Sequence, residues 1–407
     1  MNLSMKVDVA KKKALEYILS RQGRDYLWHD FQSHTNGEGV DWVTGYVGTL
    51  LILAEDTYTK LSKKNSIKQK LEKTAEVMAS RQQENGGWGF NGHTPADTDS
   101  TAWNTMFLSL MHDRTDAHHF YRKNIAKAIT FIQEHRKADN GYACYNEKDI
   151  REHPGFTRFK DIPVDGWCKS TVDISVVVAK AFHHLWWIES SEKLKKDKES
   201  IEEYISNQKP KDEWRSYWWN SNIYATAQVY EEFPYLRTKK TTRTFVKAAK
   251  KNNNPLYRAL ALKNMHLCDQ SKYQLRKQIK NIIKTQETDG SWQSQPSLRV
   301  PHPSNINPEI DPSRWREDCT DQNRIFTTVT IYDALERLYE RNYITTRESI
   351  MDKWDRQTKD WSKANKYALL AFAPVCFIPG VRWIFSGVGY AIGNAIDQYQ
   401  KKKSTPP

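Results

Sequence analysis

Gln82-Gln83-Glu84-Asn85-Gly86-Gly87-Trp88-Gly89-Phe90 is the stretch from which the architecture of this chain can be read. It follows an apolar stripe, Leu71, Ala75 and Met78, spaced as on one face of a helix. The Asn and Gly residues stop that helix and turn the chain. The pattern recurs. Leu15, Ile18 and Leu19 precede Gln22 and Trp28; Ile201, Tyr204 and Ile205 precede Gln208 and Trp214; Ile279, Ile282 and Ile283 precede Gln286 and Trp292. A further copy has Ile125, Ala128, Ile129 and Ile132, then Gln133, with Gly141-Tyr142 later. In four of the five copies Gln and Trp are six residues apart, a regularity that chance does not produce. A Gln at a helix end can bond backbone groups that otherwise stay unsatisfied, and a Trp can cover the turn. These residues therefore read as structural.

Most copies are followed by a second, more apolar helix with Ser or Thr near its start. The copies are Trp42-Val43-Thr44-Gly45-Tyr46-Val47, Ser100-Thr101-Ala102-Trp103, Ser170-Thr171-Val172-Asp173, Tyr224-Ala225-Thr226-Ala227 and Phe326-Thr327-Thr328-Val329. Ser or Thr there suits an N-cap. Leu256 to Leu267 reads as a sixth, degenerate copy. Helices apolar on all sides are buried ones. About six amphipathic outer helices alternating with apolar inner helices predict an all-α chain closed into an α/α barrel. No convincing strand pattern is present. The expected organisation is a barrel over residues 1–345 and a helical appendage over 346–407.

The 407 residues hold 15 Trp and are 12 % aromatic, which excludes wholesale disorder. The five cysteines, Cys144, Cys168, Cys268, Cys319 and Cys376, are odd in number and never at CxxC spacing, which argues against a disulfide framework or a four-Cys zinc site. A reducing compartment fits. Residues Met1 to Lys13 lack the apolar core of a secretory signal. The expected location is cytoplasmic, peripheral at the inner membrane face. The net charge of +13 points to an anionic partner or to solvated helix faces, and no nucleic-acid motif accompanies it. Residues 367–392 are apolar enough to contact a membrane but are interrupted by Pro374, Pro379 and Arg382. They read as a helical hairpin on the barrel, a monotopic insert or a span.

The Gln-to-Trp repeats resemble the QW motifs of squalene–hopene and oxidosqualene cyclases. A sharper likeness is Pro95-Ala96-Asp97-Thr98-Asp99-Ser100-Thr101-Ala102, which resembles the DxDD-T-A acid motif of class II terpene cyclases. Asp41-Trp42-Val43-Thr44-Gly45 resembles a flanking segment of the same family. The resemblance spans roughly residues 10 to 340. It implies a single α/α toroid of the terpenoid cyclase and protein prenyltransferase type, without the family's second barrel. A homodimer, a partner protein or the C-terminal hairpin would then cover the open barrel. By the resemblance Asp99 is the proton donor and Asp97 tunes or orients it. Ser100 replaces the third Asp.

The implied chemistry is protonation of an alkene or epoxide of a linear isoprenoid, a prenyl diphosphate, a squalene-type chain or a meroterpenoid. A free Asp is ionised at pH 7, so the acid needs burial and a neighbouring carboxylate to stay protonated. The alternative is that Asp97 and Asp99 cap a helix. Carbocations need aromatic faces. Trp42, Tyr46, Trp103, Trp167, Tyr217, Trp218, Trp219, Tyr224 and Phe326 are candidate cavity walls, with core packing as the alternative. Asp173 either lines a polar cavity or pairs with Lys169 or an Arg. The loop from Gln293 to Arg324 supplies Arg299, His302 and Arg324 as anion ligands for a diphosphate, or pins itself by ion pairs. No cofactor is implied beyond Mg²⁺ should the substrate be a diphosphate, and no metal ligand set or P-loop is present. Two other functions use the same scaffold, a non-catalytic lipid-binding toroid and a prenyl- or peptide-modifying transferase.

Overall fold

Each Gln-to-Trp copy ends its helix by the same bonds. The indole N–H of Trp88 donates to the carbonyl of Met78 (2.8 Å), and Trp28, Trp214 and Trp292 do the same to Ile18, Ile205 and Ile282 (2.9, 3.1 and 2.8 Å). The side-chain amide of Gln82 donates to the carbonyl of Gly86 (2.7 Å), as Gln22 does to Tyr26 (3.0 Å) and Gln286 to Gly290 (2.9 Å). Both orphan carbonyls and the turn itself are satisfied in this way. Gly86 has φ +91°, and a Cβ there would lie 2.7 Å from the carbonyl oxygen of Lys127, so glycine is required on both counts.

The computed structural model describes residues 2–58, 65–114, 121–189, 191–208, 213–265, 272–311 and 316–340. The chain divides into two units, Met1–Thr345 and Thr346–Pro407. The expected appendage, with the stretch 367–392, lies outside the described residues. The first unit is mostly helical. Its outer helices are α1 (Leu3–Ser20), α3 (Asn65–Ser80), α5 (Arg122–Glu134), α8 (Glu192–Asn207), α10 (Lys239–Lys251) and α12 (Lys272–Lys284). Its inner helices are α2 (Asp41–Tyr58), α4 (Thr98–Arg114), α7 (Val172–Glu189), α9 (Ile223–Glu232), α11 (Pro255–Met265) and α13 (Ile325–Glu340). A one-and-a-half-turn helix, α6 (Glu147–Glu152), stands between α5 and α7.

The inner helices pack in succession, α2 on α4, α4 on α7, α7 on α9, α9 on α11 and α11 on α13, and α13 returns to α2. The Gln side chains make corresponding joints between outer helices. Gln22 also donates to Thr74 Oγ1 of α3 (2.8 Å), Gln82 to the carbonyl of Asn124 in α5 (2.8 Å), and Gln286 to the carbonyl of Ala10 in α1 (2.9 Å). The last joint ties the last outer helix to the first. Gln82 additionally accepts from Asn124 Nδ2 (2.8 Å). Gln82→Ala removes three hydrogen bonds at this joint. It should lower unfolding free energy by about 1–3 kcal/mol with helix content unchanged, read by urea unfolding followed by circular dichroism.

Thr171 stands at the N-cap position of α7, but Thr44, Thr101, Thr226 and Thr328 are not N-caps, contrary to the expectation. They clasp the backbone of the Trp instead. Thr44, Thr101 and Thr226 hydroxyls accept from the N–H of Trp28, Trp88 and Trp214 at 3.0 Å each, and Thr328 accepts from Trp292 (3.4 Å). Ser175 serves Tyr142 in the copy that lacks Trp (2.8 Å). Each outer turn is thereby fastened to an inner helix of the barrel. A hydroxyl on an otherwise apolar helix would be costly if unbonded, and here it satisfies a buried N–H.

Among the described residues three two-stranded antiparallel pairs also occur, where the sequence showed no convincing strand pattern. They are β1 (Asp30–Ser33) with β2 (Gly37–Gly39), β3 (Trp88–Gly89) with β4 (Ala96–Asp97), and β5 (Leu298–Pro301) with β6 (Arg316–Cys319). Strands of two to four residues are too short for alternation to register in a sequence. Among the described residues no helix is long and apolar enough to cross a membrane.

Candidate active site

The β3–β4 hairpin delivers the chain into α4, and Asp97 pairs with Trp88 across it. Asp97 is buried, and both its oxygens are taken by Ser100. Oδ1 accepts from the Ser100 N–H (2.7 Å) and Oδ2 from its hydroxyl (2.6 Å). Asp97 therefore caps the first turn of α4. Asp99 does not. Its Oδ1 is shut from solvent with no partner at full hydrogen-bond geometry, and the indole N–H groups of Trp42 and Trp103, likewise without one, reach it only weakly.

An unbonded carboxyl oxygen in such a place strongly favours the neutral acid. Burial raises the pKa of Asp99 well above the usual carboxylate range, the charges of Asp97 and Asp173 raise it further, and the two indoles only partly offset this. Burial likewise pushes Asp97 up to about 7, against the opposing bonds from Ser100. Between about pH 4 and pH 7 folded Asp97 holds a proton that the unfolded chain has released, so its contribution to stability falls as pH rises through that window. Asp97→Asn keeps an acceptor for Ser100 and should gain about 1–4 kcal/mol over the wild type at pH 8. The gain should vanish near pH 3.5, as measured by urea unfolding at the two pH values.

A narrow cavity of about 60 Å³ opens in front of these carboxyls. Asp97, Asp99 and Ser100 lie on one side, with Trp42, Phe90, Trp218 and Trp219 among the walls. Trp42 stacks on Phe90 (5.9 Å between ring centroids) and packs against Trp219 (6.0 Å). Of the nine expected wall aromatics, Trp42, Trp218 and Trp219 line the cavity. Phe326 and Tyr46 form a stacked pair (3.9 Å) behind Trp42, Tyr224 stacks on Trp219 (3.9 Å), and Trp103 packs edge-on to Tyr46 (4.7 Å). Trp167 packs on Trp218 from outside (5.8 Å), its indole bonded to the Pro301 carbonyl, and Tyr217 stands edge-on to Trp218 (5.2 Å) with its hydroxyl on the Asn305 carbonyl. These rings back the wall.

Asp173 does not line the cavity. Its Oδ2 accepts from the N–H groups of Tyr217 and Trp218 (2.8 Å each), which holds the segment carrying Trp218 and Trp219. Arg299 holds the same segment from the other side. Its guanidinium donates to the carbonyls of Ser216 (2.6 Å) and Tyr217 (3.0 Å). Strand alternation explains the direction: Leu298 and Val300 face the cavity, so Arg299 between them points away. Arg324 is bonded to Asp289 (2.9 Å) beside the ring of Tyr17, and His302 Nδ1 is bonded to the Ser304 hydroxyl (2.9 Å). The three expected anion ligands are thus not gathered at one point. Arg299 and Arg324 follow the alternative reading, a loop pinned by its own bonds.

Sequence reasoning missed Cys144, Tyr145, Ile174, Ser33 and Asn36, all of which line the cavity. Tyr145 and Cys144 follow the Tyr that replaces Trp in the third copy. The chain there is bonded to α4 through the Thr98 N–H and the Cys144 carbonyl (2.9 Å), a contact with no periodic signal.

No family model matches the chain, and no curated protein does. Solved structures do. A variant of the type II terpene cyclase MstE from Scytonema, in complex with geranylgeranyl dihydroxybenzoate, is similar with TM-score 0.67 at 21 % identity, over 82 % of this chain and 98 % of that one. The fold is that of a type II terpene cyclase. Another MstE variant, in complex with merosterolic acid A as product, matches with TM-score 0.66 at 20 % identity, over 83 % of this chain and 98 % of that one. A protein from Actinoplanes matches with TM-score 0.64 at 21 % identity, over 82 % and 99 %. At such identity the type II terpene cyclase likeness speaks for the fold and leaves the chemistry to the residues.

Proposed function

We propose that this chain is a class II terpene cyclase-like enzyme built on a single α/α toroid, and that Asp99 starts the cyclisation of a linear isoprenoid as general acid. The observation that carries this reading is the buried, unbonded Oδ1 of Asp99 beside a cavity walled by Trp42, Phe90, Trp218 and Trp219. Asp99 donates its proton to one carbon of a terminal alkene, whose π pair forms the new C–H bond, or to an epoxide oxygen. The cation left behind is attacked by the next alkene of the same chain. Loss of a proton from the last cation restores the balance, so the alkene reaction is an isomerisation. Aromatic faces stabilise each cation by about 0.5–2 kcal/mol without capturing it.

The head group is inferred from what the cations are doing. Arg299 is spent on two carbonyls and Arg324 on Asp289, which supports a substrate without a diphosphate. The prenylated benzoate bound by MstE is a substrate of that kind, and a meroterpenoid precursor is accordingly the leading candidate.

The test is incubation of the full chain with geranylgeranyl dihydroxybenzoate, squalene, oxidosqualene, and farnesyl and geranylgeranyl diphosphate with Mg²⁺, read by mass spectrometry, with Asp99→Asn beside it. A cyclised product absent from the variant supports the reading and selects the substrate class. The same product from the variant overturns the role of Asp99. No product from any of the five, with folding intact by circular dichroism, overturns the cyclase reading.

A further inference from the structure

The positive charge of this chain is concentrated on one sector of the barrel wall. Helix α10 carries six Lys or Arg and α12 carries five, with no Asp or Glu in either, against a net charge of +13 for the whole chain. Both helices pack on α11, and α12 packs in turn on α1. Their apolar stripes face inward, where Phe245, Val246, Leu275 and Ile279 are buried, while Arg243, Lys247, Lys251, Lys277, Lys280 and Lys284 are exposed. Charges of one sign this close repel each other and cost stability unless something outside the molecule compensates them.

The same sector has an apolar seam. Between the start of α1 and the end of α12 runs a groove of about 550 Å³, lined by the half-buried Leu3 and Ile283 and the exposed Lys6, Lys280 and Lys284. Beside it on α1, Met5 is 53 % exposed and Val9 46 % exposed, two of the few large apolar side chains so open to water. Apolar groups set among lysines are the pattern of a surface that rests in a lipid headgroup region. The lysine stems lie along apolar chains and the ammonium groups reach the phosphates.

We propose that the wall formed by α10, α12 and the start of α1 docks on an anionic lipid bilayer, with the seam between α1 and α12 receiving apolar chains. An acidic protein would be attracted by the charge, but it gives no account of Met5, Val9, Leu3 and Ile283. The inference is independent of the chemistry at Asp99. It rests on residues other than 367–392.

The experiment is co-sedimentation of the full chain with vesicles of phosphatidylcholine alone and with about 30 % phosphatidylglycerol. Three proteins are compared: the wild type, the charge variant Lys277→Gln/Lys280→Gln/Lys284→Gln and the seam variant Leu3→Gln/Ile283→Gln. Each lysine near an anionic leaflet contributes about fivefold to partitioning, so the charge variant should bind the anionic vesicles about 100-fold more weakly. The wild type should leave the vesicles in high salt. Soluble polyglutamate is the second probe, and the seam variant should lose affinity for vesicles while keeping it for polyglutamate. Equal binding to neutral vesicles, or a charge variant that binds like the wild type, overturns the proposal. A seam variant that binds vesicles unchanged assigns the face to an acidic protein and also overturns it. Circular dichroism shows whether each variant is folded.

Discussion

Asp99→Asn should leave a folded protein whose cyclisation rate falls by about 10³-fold or more. General-acid catalysis commonly contributes 10²–10⁴-fold, and Asn occupies the same volume without a transferable proton. The substitution does not disturb a hydrogen-bonded cap, because that task belongs to Asp97 and Ser100. Loss of activity is therefore separable from loss of structure. The pH profile has a fixed direction. On the proposed mechanism the active form is the protonated acid, so turnover should be retained at low pH and decline as pH rises through the elevated pKa of Asp99. Ionisation of Asp97 near pH 7 opposes that decline, since a second negative charge beside Asp99 holds its proton more tightly. Asp97→Asn removes this help, and its alkaline limb should lie at lower pH than that of the wild type. A Michaelis analysis across pH 5–9 for both variants reads these effects. An alkaline limb at the same pH in Asp97→Asn would show that the two carboxyls do not interact.

Lys263→Met should lower unfolding free energy by about 3–5 kcal/mol, the largest stability effect expected in the barrel. Lys263 is buried, its side chain 3 % exposed, and its ammonium bridges Glu231 (2.9 Å) and Asp333 (2.7 Å). Lys180 meets Glu231 at 2.8 Å and Arg337 meets Asp333 at 2.9 Å, so five charges from four inner helices form one network. Burial alone would raise the pKa of Glu231, but Lys180 and Lys263 outweigh it and hold the carboxyl well below its usual range. Removing Lys263 leaves one cation for each of two carboxylates that have been stripped of water. Glu231 also gives the sign of the acid limb. A carboxylate with a depressed pKa stabilises the fold above its unfolded pKa and loses that contribution as pH falls, so the wild type should weaken below about pH 4.5. Urea unfolding at pH 7 and pH 4 checks both statements. A loss below about 1 kcal/mol at pH 7 would show that Lys180 and Arg337 suffice.

What could be read in the sequence were the features repeated along it. Five copies of one turn gave five of the six outer helices, α10 being the exception, and their apolar partners gave the inner ones. The Gln side chains do bond the turns, though their joints to the next outer helix were invisible, since Gln286 and Ala10 lie 276 residues apart. Asp97 and Asp99 stood out because two carboxylates flank one threonine at a helix start. Their different fates did not, because a single oxygen bonded or left bare is decided by how Ser100 turns. Arg299 stayed between two readings for a related reason. A charge in a long loop reads as available until the strand beneath it shows which way it points. The ion network escaped notice because Lys180, Glu231, Lys263 and Asp333 each look like one polar residue on a different apolar helix.

The inner helices all run the same way. The starts of α2, α4 and α7 supply Trp42, Asp99 and Ile174 to the acid cavity, while residues from the later turns of α2, α7, α11 and α13 line a second cavity with Leu53, Lys180, Lys263 and Arg337. Each outer helix ends beside the start of an inner one, as the bonds from Trp28, Trp88, Trp214 and Trp292 show, so the two sets of peptide dipoles oppose each other. What remains is local to the helix ends. The free N–H groups in the first turn of α4 lie where Asp99 becomes an anion on giving up a proton, and they ease that ionisation. The later turns of the inner helices, where free carbonyls gather, are where Lys180, Lys263 and Arg337 are kept.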